Sequence, residues 1–131
     1  MEENFKIEII SPEKVIFSDD IKTIKIPSYE GDMSILKNHI SIITFLRPGI
    51  VRLEKQDGNA EEFFVEDGTV EFFNNTLVLL SSSAVDTKNL SKEFLDNLSK
   101  DTENKLSKDD ITDQDRYILN HKLQAISEIR T

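Results

Sequence analysis

The feature that most constrains this chain is a change of hydrophobic period near residue 85. Before it, Ile, Val, Leu and Phe gather in short runs at residues 5–10, 14–17, 21–26, 40–46, 49–55, 61–66, 69–73 and 76–82. Turn residues separate them: Ser11-Pro12, Asp19-Asp20, Pro48-Gly49, Asp57-Gly58, Asp67-Gly68 and Asn74-Asn75. Strands this short must reverse and pair with neighbours, which predicts an antiparallel sandwich or barrel. Asp57-Gly58 and Asn74-Asn75 carry the chemistry of hairpin tips. After Val85 the apolar residues recur at helical spacing. Leu90, Phe94, Leu95, Leu98 and Leu106 stripe one helix over about 88–105, and Ile111, Ile118, Leu119, Leu123, Ile126 and Ile129 a second over about 112–130. Ser107 with Asp110, or Thr112 with Asp115, is positioned to cap the second helix. The expected fold is mainly β plus α: an N-terminal antiparallel β-sandwich domain over 1–85, then a C-terminal two-helix antiparallel hairpin domain over 86–131.

At 131 residues there is room for one ordinary domain and a small addition. With 16 Lys and Arg against 25 Asp and Glu, the net charge of -9 repels phosphate backbones and anionic headgroups, so nucleic acid is not an expected partner. The absence of cysteine excludes disulfides, thiolate metal sites and Cys-based catalysis. The start MEENFKIEII has no basic, then apolar, leader pattern, and no run approaches the roughly 18 apolar residues of a membrane span.

One stretch invites a search for chemistry. EGDMSILKNHISI, residues 30–42, holds two carboxylates, a glycine and one of the two histidines. A metal centre at His39 needs further ligands, and His121 has no HxxxH or HxxE/D spacing around it. No GxSxG is present, and the four glycines never fall together in a phosphate-binding loop. The paired acids Asp19-Asp20, Glu61-Glu62 and Asp109-Asp110 read as solvated charge, because neighbours in a strand point to opposite faces. The same geometry makes Phe63-Phe64 and Phe72-Phe73 informative: one ring of each pair enters the core, and the other lies on the outer face, as an interface or under a second packed layer. No catalytic residue, metal site or cofactor is expected.

The order SPEKVIFS, IKIPSYEGDMSIL, NHISIITFLRPGIVRL and FFVEDGTVEFFNNTLVLLS, followed by two helices, resembles the epsilon subunit of F-type ATP synthase, whose mitochondrial counterpart is called delta. Ser11-Pro12-Glu13, Phe17-Ser18, Ser28 to Asp32, Asn38 to Ser41 and Leu46 to Gly49 carry the likeness. It departs from the family pattern at Ser34 (usually Gly), at Lys37-Asn38 (usually Pro-Gly) and at Ser41 (usually Pro). The resemblance implies a non-catalytic subunit of the central stalk or rotor. It would couple proton-driven c-ring rotation to ATP synthesis in the alpha/beta catalytic head, with helices that inhibit ATP hydrolysis. It implies a c-ring contact at Glu30, Gly31 and Asp32, a gamma-subunit contact at His39, Ser41 and Ile42, and inhibitory contacts to the beta subunit from Arg116, Lys122 and Arg130. It also implies a peripheral position on the cytoplasmic face of the bacterial inner membrane, touching the membrane only through the c ring. Of the nucleotide-binding pattern found in some members, Asp86 alone remains and the arginine is absent, so no nucleotide site is expected. The competing reading is a free-standing β-sandwich ligand-binding domain or cupin-like enzyme, which needs several converging histidines.

Overall fold

A computed structural model of the chain describes residues 3–130, with the backbone alone at Arg130. Among these are β1 (Phe5–Ile10), β2 (Val15–Ile21), β3 (Thr23–Ser28), β4 (Gly31–Leu36), β5 (Ile42–Leu46), β6 (Gly49–Glu54), β7 (Ala60–Val65), β8 (Gly68–Phe73), β9 (Thr76–Leu80) and β10 (Val85–Asp86). A 3-10 turn (Thr87–Asn89) then leads to α1 (Lys92–Leu106) and α2 (Asp113–Arg130).

The strands run in the order β10-β7-β6-β3-β5-β8-β9-β1-β2, with β4 paired to β3. Every pairing is antiparallel except β1 with β9. Between β3 and β5 the ladder narrows to Ser28 opposite Leu46, and there the sheet curls into two facing layers. The joint is tied by a buried hydrogen bond of 2.9 Å between the Ser28 and Thr44 hydroxyls. Alternation does the rest: Phe5, Ile7 and Ile9 of β1 point inward to meet Ile24, Ile26, Ile35, Val51, Leu53, Phe63, Phe72, Leu77 and Leu79 in one core. The expected β-sandwich with a following pair of helices is the fold observed.

Several boundaries differ from expectation. Residues 31–36, which lie outside every expected strand run, form β4, because the chain reverses at Tyr29-Glu30 and Gly31 takes the left-handed φ of 118° that begins the return strand. Asp19 and Asp20 are strand residues of β2, tolerated because β2 ends the strand order: both stay exposed there, and Asp19, on the inward side opposite Ile7, pairs with Lys55 at 3.0 Å. The first helix starts at Lys92 rather than 88, since Leu90 is extended and the Ser91 side chain accepts from Phe94 N at 3.0 Å. For α2, Thr112 is the cap: its hydroxyl accepts from Asp115 N at 3.0 Å.

Phe63 joins the core, whereas Phe64 faces the other way and is still only 3% exposed. Phe64 pairs with Ile50 of β6, the strand that α2 crosses, so this outer face carries a second packed layer. The Phe72-Phe73 pair divides differently, with Phe72 in the core and Phe73 64% exposed.

Candidate functional site

The turn at residues 28–32 is built before it is presented. Tyr29 N donates to the Phe45 carbonyl at 3.0 Å, and Glu30 N donates to the Ser28 hydroxyl at 3.1 Å. Asp32 is held internally: its carboxylate accepts from Arg47 Nη2 at 2.8 Å and lies 3.6 Å from Lys25 Nζ. Glu30 lies at the exposed tip. Arg47 reaches Asp32 from beside Gly49, where any Cβ would come within 2.6 Å of the Pro27 side chain. The three candidate residues Glu30, Gly31 and Asp32 thus share one tight β3–β4 hairpin tip.

His39 sits just before β5, half-buried, with Nδ1 donating to the Ile40 carbonyl at 2.7 Å and its ring edge-on to Phe72 at 5.9 Å. The preceding residue anchors the segment. Asn38 N donates to Asn75 Oδ1 at 2.7 Å, and Asn75 Nδ2 returns a bond to Asn38 Oδ1 at 3.0 Å. Ser41 is exposed, but Ile42 packs partly against the core. The outward positions are its neighbours. Ile40 (76% exposed), Ile43 (68%), Phe45 (62%), Phe73 (64%) and Leu80 (51%) present apolar side chains on and beside β5, β8 and β9. Around Ile43, Phe45 and Leu80 an open depression of about 1060 Å³ runs to Tyr29 and Glu30. Of this face, the sequence pattern points to the Phe72-Phe73 pair, without deciding which ring faces out.

The helix residues separate. Arg116 is exposed on α2. Lys122 is buried, ion-paired with Glu66 in the turn between β7 and β8. The Arg130 side chain lies outside the described residues. Lys122 falls on the apolar stripe, one turn from both Ile118 and Ile126, and that spacing was the available signal for its burial. Beside it, Tyr29 stacks on Tyr117 at 6.0 Å, and Tyr117 meets His121 edge-on at 4.4 Å, contacts across the fold that no local pattern reveals. Burial first, and the Arg47 cation second, push the His121 pKa below its ordinary value, outweighing the pull of Asp32. Asp86 accepts from Lys88 N at 2.9 Å and caps the 3-10 turn.

Among the described residues no three His, Cys, Asp or Glu side chains gather as a metal-ligand set, and no helix is long and apolar enough to cross a membrane. What the surface offers is docking: a polar tip, an apolar sheet face and a helix held by one buried cation.

Residues 4–87 match the family model for the beta-sandwich domain of the ATP synthase Delta/Epsilon chain. The ATP synthase epsilon chain of Pelagibacter ubique is 42% identical over 130 residues, spanning 98% of this chain and 99% of that one. The epsilon chain of Sinorhizobium medicae is 34% identical over 97 residues, 74% of this chain and 72% of that one. Among solved structures, a chain from the cryo-EM structure of Euglena gracilis mitochondrial ATP synthase (OSCP/F1/c-ring, rotational state 1) superimposes with a TM-score of 0.78 at 17% identity, covering 99% of this chain and 81% of that one. A chain from the central stalk and c-ring of Tetrahymena thermophila mitochondrial ATP synthase gives 0.66 at 15% identity, covering 96% of each. With a family model spanning the sandwich and a relative matching nearly end to end, the chain belongs to the ATP synthase delta/epsilon chain family.

Proposed function

We propose that this chain is the non-catalytic epsilon subunit of an F-type ATP synthase central stalk, carrying proton-driven rotation of the c ring to the alpha/beta catalytic head. The observation that carries the reading is the apolar face of Ile43, Phe45, Phe73 and Leu80, exposed in a sandwich whose core is otherwise filled. Exposed apolar side chains clustered in this way, here around the carboxylate of Glu71, mark a protein interface, and the gamma subunit is its occupant in this reading. His39 and Ser41 border the same face. The polar tip at Glu30, Gly31 and Asp32 faces the c ring, so the subunit meets the membrane only through that ring, on the cytoplasmic side of the bacterial inner membrane. Residues 1–85 act as the coupling domain and 86–131 as a regulatory one.

In the regulatory step the hairpin leaves the sandwich and extends toward the head, where Arg116, Lys122 and Arg130 meet acidic beta-subunit surface and oppose ATP hydrolysis. Lys122 must give up Glu66 to do so, which sets a barrier to extension. The test of the assignment is copurification from detergent-solubilised membranes. Recovery with gamma and c subunits is expected, and loss of that recovery in the Phe45→Glu variant. Isolation of the chain with no ATP synthase subunit overturns the assignment.

A further inference from the structure

α2 crosses β6 above a recess of about 220 Å³ into which His121 projects. The imidazole meets the Tyr117 ring at 4.4 Å, and Tyr117 in turn stacks on Tyr29 of the β3–β4 tip, so these rings form one contact between helix and sandwich. One residue on, Lys122 pairs with Glu66. We propose that this junction is a pH-sensitive latch, in which α2 stays docked on the sandwich while His121 is uncharged and is released when His121 takes up a proton.

Close to the imidazole, the Arg47 cation outweighs the Asp32 carboxylate. From the sandwich, Arg47 and Lys25 both face the recess, and the carboxylate between them, Asp32, is already engaged by both cations at 2.8 and 3.6 Å. Arg52 also lines the recess, and its charge is met by two carboxylates, Glu62 at 3.1 Å and Glu54 at 3.7 Å. From the helix itself, Glu128 lines the recess two turns on. Protonated His121 therefore adds a cation beside Arg47 in a half-buried space and also loses solvation, both of which disfavour the docked state. Undocking returns the ring to water. The sign follows: the docked state holds fewer protons, so docking is fullest above the ordinary imidazole value of about 6.5 and weakens as pH falls from there through the lowered docked value.

The latch stands on the junction geometry; its consequence for ATP hydrolysis rests on the regulatory reading of the hairpin. The chain has no cysteine, so Gln56→Cys and Ser127→Cys, both at exposed positions, accept a unique pair of spin labels. Pulsed dipolar spectroscopy on the full chain from about pH 8 to about pH 5.5 then reads docked and undocked distances. The expected result is a docked-to-undocked ratio that falls by up to about tenfold per pH unit below about 6.5. His121→Gln and His121→Phe, the second keeping an aromatic edge against Tyr117, should hold the ratio level over that range. A constant ratio in the parent chain, or the same fall in both His121 variants, overturns the latch. A fall abolished by both variants, with hydrolysis by the reconstituted head unchanged between the two pH values, upholds the latch and removes the regulatory reading instead.

Discussion

Lys122 of α2 and Glu66 of the β7–β8 turn form an ion pair at the helix–sandwich junction in which the lysine side chain is 11% exposed and the glutamate side chain 42%. The asymmetry decides what each substitution does. Glu66→Ala leaves a buried ammonium without its counter-ion and is expected to weaken docking by about 2–3 kcal/mol. Lys122→Met fills the same space with apolar atoms and leaves only a partly exposed carboxylate, so it should cost under about 1 kcal/mol. Amide hydrogen exchange along α2 measures both, and equal loss of protection in the two variants would show that the pair does not hold the helix.

Phe64 tests whether the sandwich stands without its helices. In the full chain Phe64→Ala is expected to cost about 3 kcal/mol, because a ring only 3% exposed is lost from beneath the helical layer. In a chain ending at Val85 that layer is gone, and the same substitution should be nearly neutral. Urea unfolding of the four proteins gives the comparison. The truncated parent should still unfold cooperatively, since the inner core draws none of its residues from the helices.

At the β8–β9 tip, Asn74 and Asn75 have positive φ of 52° and 58°, the backbone of a two-residue hairpin turn. Asn74→Gly should be neutral or stabilise by up to about 0.5 kcal/mol, because glycine enters that region without steric cost. Asn75→Gly gains the same freedom but loses the reciprocal amide bonds to Asn38, and is expected to destabilise by about 1 kcal/mol. Thermal unfolding reads both signs.

Glu30 and Asp32 should behave differently although they flank one glycine. Asp32→Asn releases Arg47 and Lys25 and loosens the hairpin, so it should lower stability as well as coupling. Glu30→Gln leaves those bonds intact and should weaken only the c-ring contact proposed for this tip. Proton pumping by reconstituted membranes, compared at low and raised ionic strength, separates them, since a contact that depends on exposed charge weakens with screening. Unchanged pumping by Glu30→Gln in both conditions would remove Glu30 from the interface.

The strand-then-helix architecture was legible because inward residues alternate strictly along β1, β6, β8 and β9, and both helices carry an apolar stripe. β4 was not: Met33 and Ile35 turn inward and Ser34 and Leu36 outward, but an apolar residue at outward position 36 hides the polar–apolar alternation in the sequence, and the strand begins inside the turn. The polar tip and the His39 segment were located by motif. The outward face was largely missed, because alternate residues of an apolar run look alike until register is known. The resemblance implies a contact at Ile42, which packs partly against the core, while Ile43 and Phe45 are the neighbouring side chains that point out. The Tyr29, Tyr117 and His121 contact joins residues far apart in the chain and has no local signature.

The central claim, that this chain couples the c ring to the catalytic head, is tested most directly by proton pumping per ATP hydrolysed in membranes stripped of the subunit and then given it back. Stripped membranes should hydrolyse ATP with little pumping, and the full chain should restore pumping while a Phe45→Glu variant does not. Pumping that is undiminished without the chain, or restored equally by the variant, would contradict the account.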